Sequence, residues 1–271
     1  GASALMDFNL ATIAASAKKR PGEYRLDPIH TRVGSEVAYR KVLAEMLRGL
    51  LSEVNTAILP TYTADADEPW YARLAALGAT LAATASAKMT KLLYSEAGWH
   101  TRQFAATVLR GLGVDVSGLL SQLDTEELMR LYIAQNTDLI TGLKDDAIKV
   151  IRQEIMTARI QKQQPEQLAE TLRHKLNILR TSRAELIATD QLGKLTASLN
   201  KHRQQQSGMS EYRWNYRSWI KREDPRKDHQ AVNGKHYKWG ERTGTKDGGE
   251  PGTAVRCKCW AQAIVRIDDD E

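Results

Sequence analysis

Cys257 and Cys259 are the two cysteines of this 271-residue chain, and a single lysine separates them. In an extended segment residues i and i+2 point the same way, so both sulfurs face one side. Two thiolates so placed supply two corners of a tetrahedral zinc site. His229, with Asp224 or alternatively His236, offers the ligand types for the other corners. One structural zinc of this kind would staple a small sheet that carries a glycine-rich loop (240–252). A second reading uses the same residues differently: two reduced, half-buried core cysteines, with His229 hydrogen-bonded in a turn. C-x-C is not the usual C-x₂₋₄-C zinc spacing, so the pattern by itself leaves both open.

The same stretch holds residue types for other chemistries. A metal-dependent nuclease wants a histidine base with carboxylate or histidine ligands near a phosphate, and Asp224, Asp228, His229, Asn233 and His236 have those types. A Cys–His nucleophile pair finds no orienting Asn or Asp at a telling spacing. P-loop, Gly-x-Gly-x-x-Gly and zinc-protease motifs are absent from the sequence. The cysteines make no disulfide framework, since a bond between them would close a small strained ring. That usage reads as a reducing, intracellular site of synthesis.

The net charge is +6. From Lys201 onward there are fifteen Lys/Arg against eleven Asp/Glu, and four of those acids are the last four residues. The basic residues interleave with aromatics in YRWNYRSWIKR (212–222). Stacking and phosphate contacts there make Arg213, Arg217, Lys221, Arg222, Lys235, Lys238 and Lys258 candidate nucleic-acid contacts, alone or as a stand-alone DNA-binding module. The bland alternative is a solvated basic face with an acidic tail.

The rest of the chain reads as helices that carry this module. The first ten residues lack the basic segment and apolar core of a signal peptide, and Met6 reads as a natural start. No window approaches a membrane span. Residues 1–32 show no sustained periodicity, and two prolines with alternating charge suggest an extended arm. Val33, Val37, Leu43, Met46, Leu50, Val54 and Ile58 fall at helical steps, and Pro60 ends the run. Residues 70–94 are helical and Ala-rich, with Gly98 and Gly111/Gly113 setting off a shorter helix over 103–112. Asp124 or Thr125 caps a further helix, and Leu139 to Ala158 mark a long helix ending near Gln163. Pro165 opens the next, and Thr181 or Ser182 caps one that runs to Gln206. After Gly208 the pattern turns to period two. Tyr212, Trp214 and Tyr216 alternate, Asn233-Gly234 signals a hairpin before a short strand, and 255–267 alternates from Val255 through Cys257 and Cys259 to Val265. The expected class is mainly α with a C-terminal α+β module: an arm over 1–32, a helical domain over 33–180, and a helix plus small antiparallel sheet over 181–271.

Three segments, in this order, resemble one family. LRTSRAELIATDQLGKLTASLNKHR resembles its helix, through Arg183, Ala184, Glu185, Ile187, Ala188, Thr189 and Asp190. WIKREDPRKDHQAVNGKHY resembles its signature, through Trp219, Asp224, Arg226, His229, Asn233, Gly234 and Tyr237. VRCKCWAQAIV resembles its closing strand. The family is that of the Mu F-like minor head, or head-morphogenesis, proteins of tailed bacteriophages, matched over 179–265. Many members carry Cys-x-x-Cys after the Asp-x-Arg, where this chain has 227–230 with His229. The resemblance implies a virion structural protein without enzyme activity, made in the host cytoplasm and placed in the capsid interior near the portal vertex. It implies the portal or major capsid protein and packaged double-stranded DNA as partners, and no membrane. Trp219, Arg226, Asn233 and Gly234 would be structural motif residues, and Asp224, Arg226 and His229 would brace the turn onto the Cys257/Cys259 strand.

Overall fold

The computed structural model describes residues 8–62, 69–121, 123–217 and 226–268. Trp219, Lys221, Arg222 and Asp224 lie outside the described residues. The chain is mainly α-helical, with one small antiparallel sheet formed largely by its C-terminal part. By contact it divides into two compact units, one made of 1–32, 94–130 and 190–271 and the other of 33–93 and 131–189.

The second unit is helical. Helix α2 (Val33–Glu53) passes into a π-turn (Val54–Ile58) and a 3₁₀ turn (Leu59–Thr61) that holds Pro60. Its buried stripe is Tyr39, Leu43, Met46, Leu47, Leu50, Val54 and Ile58. Val33 and Val37, expected in that stripe, are 73% and 52% exposed. Helix α3 (Pro69–Leu112) is continuous. The break expected at Gly98 does not occur. A helical glycine costs only about 1 kcal/mol relative to alanine, and Glu96, Ala97 and His100 around it are buried. Helix α4 (Glu126–Ile160) follows, then α5 (Pro165–Leu179), which opens with a capping box between Gln164 and Gln167. The cap expected at Thr181 or Ser182 is also absent. Their hydroxyls donate back to the carbonyls of Asn177 (3.1 Å) and Ile178 (2.7 Å). The chain then continues through a π-turn (Arg180–Ala184) into α6 (Glu185–Gln206).

In the first unit the segment read as an arm contributes two elements. Helix α1 (Leu10–Ser16) is capped by Asn9, whose side-chain oxygen accepts from Thr12 N–H at 3.1 Å, and it buries Leu10 and Ala14. Strand β1 (Gly22–Arg25) pairs with β4 (Trp260–Ile267), Tyr24 opposite Val265. Strand β2 (Glu211–Asn215) pairs with β4 on its other side and with β3 (His236–Lys238), giving the order β1-β4-β2-β3, antiparallel throughout. Leu10, Leu26, Phe104, Val108, Val265 and Ile267 share one core, and Tyr212, Trp214, Val232, Cys257, Cys259 and Ala261 form another.

Two local expectations shift. The last strand begins at Trp260 rather than Val255, which is exposed. Arg256 is left-handed (φ +57°), and its N–H donates to the Asp190 carboxylate at 2.9 Å, which turns the chain before the strand starts. Asn233-Gly234 does not join two strands directly. A short helix α7 (Lys227–Ala231) lies between β2 and β3, and the Asn-Gly pair turns from it into β3.

Buried polar groups of this unit are paired across long sequence separations. His100 on α3 bonds Asn200 Oδ1 on α6 at 3.0 Å, while Asn200 Nδ2 donates to the Ile29 carbonyl. Burial depresses the His100 imidazole to about 4, further lowered by Arg203 and His202 and opposed by the Asn200 bond. A depressed histidine makes the unfolded state the better proton acceptor. Stability therefore falls as pH drops from about 6.5, where the unfolded imidazole protonates, toward about 4. The full loss is about 3 kcal/mol by linkage. Urea unfolding at pH 7.5 and pH 4.5 is expected to show a slope one proton shallower in His100→Gln than in the parent; equal slopes refute the assignment.

Candidate metal centre

Three short segments bring the candidate ligands together. Helix α7 presents His229, 2% exposed, with its ring edge-on to Trp214 of β2 at 5.4 Å between centroids. The irregular segment before β4 presents Cys257 and Cys259, both buried and both free thiols. His229 Nδ1 lies 3.5 Å from Cys257 Sγ and 3.6 Å from Cys259 Sγ. Both sulfurs do face one side, from the irregular segment that follows the turn at 255–256 rather than from within β4.

Backbone bonds at motif residues hold these segments. Arg226 donates to the Val255 carbonyl at 2.6 Å, two residues before Cys257. Asn233 Oδ1 accepts from Tyr216 N–H at 2.8 Å, and Gly234 N–H donates to the Trp214 carbonyl at 2.8 Å. Gly234 has φ +81°, which glycine adopts without strain. The glycine-rich loop between β3 and the cysteines is anchored by Glu250, which accepts from Lys201 Nζ at 2.7 Å and from Gly240 N–H at 3.1 Å. Gly252 (φ +87°) lies against α6, where an added Cβ would stand 2.7 Å from Ala197 Cβ.

The donor set suits a thiophilic divalent metal. Bonds of about 2.3 Å to sulfur and about 2.05 Å to nitrogen in a tetrahedron put S and N roughly 3.6 Å apart, close to the two observed separations. All three ligand atoms lie within 4.8 Å of one another. The Cys259 thiol hydrogen-bonds to the Cys257 sulfur and lowers Cys257 to about 6 against the opposing effect of burial, helped by N–H groups of Gly252 and Cys259 and by His229. The same bond and burial push Cys259 up.

The other predicted site residues are placed apart. His236 is exposed on β3 with Nδ1 3.5 Å from an Arg266 guanidinium nitrogen, and it is not part of the cluster. Asp224 lies outside the described residues. Arg213 is half-buried on β2 and donates to Asn215 at 2.9 Å; Arg217, Lys235 and Lys238 are exposed and Lys258 is half-buried. Near Arg213 and Lys238, acidic residues intervene, since Glu211 and Glu23 both pair with Arg266.

One residue of the site escaped sequence reading. Asp247, in the loop TGTKDGG, places Oδ2 3.4 Å from His229 Nε2, on the ring nitrogen turned away from the sulfurs. Its signal was an acid in a glycine-rich loop, easily taken for a linker. Burial acts to raise Asp247, but the Thr245 hydroxyl, Gly249 N–H and His229 together hold it below the usual carboxylate range. A cleft of about 530 Å³ lined by Arg226, Lys227, Asp228, His229, Lys246, Asp247 and Ala254 opens on this outer side.

Residues 149–262 match the family described as Phage Mu protein F like protein. This segment, less than half of the chain, is similar to that family. The match begins about thirty residues before the resemblance noted in the sequence and contains His229, Asp247, Cys257 and Cys259. No curated protein and no solved structure matches the chain. Among the described residues, no helix is long and apolar enough to cross a membrane.

Gly252 tests the packing of the module's loop. Gly252→Ala forces both a left-handed alanine and a contact with Ala197, and about 2 kcal/mol of destabilisation is expected. Urea midpoints read it directly, and an unchanged midpoint would show that the loop does not need this approach.

Proposed function

We propose that the protein is a minor capsid protein of a tailed phage, acting in head morphogenesis. In this reading it is made in the host cytoplasm, enters the capsid interior near the portal vertex, contacts the portal or the major capsid protein, and lies beside packaged double-stranded DNA. The observation that carries it is the Mu F-like match over a folded module whose motif residues are spent on architecture. Arg226, Asn233 and Gly234 hold backbone turns in place. The role is structural rather than catalytic. A nuclease built on His229 and His236 needs both at one phosphate, whereas one is buried against Asp247 and the other is exposed beside Arg266.

Docking is assigned to the helices of residues 33–180, with α2 the first candidate because Val33 and Val37 are exposed. Val33→Glu with Val37→Glu is expected to cut co-sedimentation with the portal at least tenfold, with helical circular dichroism retained, and deletion of 33–58 to abolish it. Undiminished co-sedimentation of both variants sinks this assignment.

The module is further proposed to hold one structural zinc through Cys257, Cys259 and His229. When bound, the metal would supply a cross-link between α7 and the segment leading into β4. Elemental analysis is expected to find about one zinc per chain, lost in Cys257→Ser/Cys259→Ser; a metal-free parent protein would leave the thiols as core residues.

A further inference from the structure

The zinc reading leaves open which ring nitrogen of His229 faces the metal, and the surrounding bonds decide it. Nδ1 points at both sulfurs, at 3.5 and 3.6 Å. Nε2 points the opposite way, at Asp247 Oδ2 3.4 Å away. A neutral imidazole carries its proton on one nitrogen and a lone pair on the other. A carboxylate beside Nε2 accepts that proton, which leaves the lone pair on Nδ1, the atom aimed at the thiols.

Asp247 is itself held for this task. Its Oδ1 accepts from the Thr245 hydroxyl at 2.6 Å and from Gly249 N–H at 3.3 Å. The Thr245 hydroxyl oxygen lies 2.8 Å from that of Thr243, whose hydroxyl donates to the Gly249 carbonyl at 2.8 Å. Both threonines are buried. One carboxylate oxygen is thus fixed by the loop, and the other is free to face the ring. The loop is pinned beside α7 by a further bond, Lys246 N–H to Asp228 Oδ2 at 2.9 Å.

We propose that Asp247 is the outer-sphere positioning residue of the metal site. It sets His229 in the Nε2–H tautomer so that Nδ1 binds a thiophilic divalent cation together with Cys257 and Cys259. Outer carboxylates of this kind fix ring orientation and raise ligand basicity, and their removal commonly costs 10–100-fold in affinity. The proposal rests on the zinc reading and adds the glycine-rich loop to it: what looks like a linker becomes part of the site.

The test uses the full-length reduced protein and Co²⁺ alone as the probe, followed by Zn²⁺ competition. Asp247→Asn keeps the volume and an oxygen for Thr245 and Gly249, but turns an N–H donor toward Nε2. That arrangement favours the proton on Nδ1. Expected is a thiolate-to-cobalt absorption band in the parent, affinity 10–100-fold weaker in Asp247→Asn, and substantial recovery in Asp247→Glu, with far-ultraviolet circular dichroism unchanged. Equal affinity in parent and Asp247→Asn overturns the role of Asp247 while leaving the metal site standing. A parent protein that takes up neither cation overturns both. A second measurement needs no variant: the ¹⁵N shifts of His229 in the metal-free protein at pH 8 should report the Nε2–H tautomer, and the Nδ1–H tautomer there would overturn the proposal.

Discussion

The first unit depends on β4 being paired on both sides. Its residues 264–267 bond to β1, from near the N-terminus, and its residues 260–263 bond to β2. Ladder pairing fixes register, and a slip of one residue would turn every side chain to the other face. That single strand therefore holds residues 22–25 against partners more than two hundred positions away in sequence. It also delivers Cys259, the residue just before it, against Trp214 and α7. The core that contains Val265 and Ile267 and the cluster that contains Cys259 and Ala261 meet along this strand.

A buried cation ties the helices of the same unit to the sheet's supports. Arg203 on α6 is fully buried, yet its guanidinium donates to Asp124 Oδ2 at 2.9 Å, Gln206 Oε1 at 2.6 Å, Thr101 Oγ1 at 3.0 Å and the Ser121 carbonyl at 2.6 Å. Burial would raise Asp124, but the Gln206 amide, Ser121 N–H and Arg203 together keep it below the usual carboxylate range. Such a cluster is weak evidence of net stability, because desolvating the charges offsets their attraction. Removing one partner would leave the other charge buried and unpaired, which is strongly destabilising. The sequence suggests Asp124 or Thr125 as a helix cap. The Asp124 carboxylate instead serves this buried network.

At the candidate site the same logic works at shorter range. Two thiols and an imidazole are drawn together by helix α7 and the irregular segment before β4, which the Arg226 bond to the Val255 carbonyl ties to each other. The family signature is legible because those bonds need particular side chains: an arginine long enough to reach the Val255 carbonyl, an asparagine oxygen for Tyr216 N–H, and a glycine for a positive φ. The charges near β2 and β3 behave otherwise. Glu211 of β2 and Glu23 of β1 both pair with Arg266 of β4, so charges of both signs lie along the sheet.

Periodicity and local chemistry in the sequence determined the helical character, the sites of Pro60 and Pro165, the strand with Tyr212 and Trp214 inward, and the membership of His229, Cys257 and Cys259 in one candidate cluster. The first three depend on neighbours within a few residues, where steric and hydrogen-bonding preferences act directly; the cluster was legible only from ligand types, since His229 lies 28 and 30 residues from the two cysteines. Only the tertiary structure decided that Gly98 and Thr181 interrupt nothing, that residues 22–25 form a strand, that His236 stands away from the cluster, and that Asp247 faces His229. Each of those outcomes rests on partners far away in sequence. A glycine's helical penalty of about 1 kcal/mol is overridden by burial, a four-residue strand exists only where another strand offers its edge, and a carboxylate in a glycine-rich loop acquires its role from the ring nitrogen that folding places beside it.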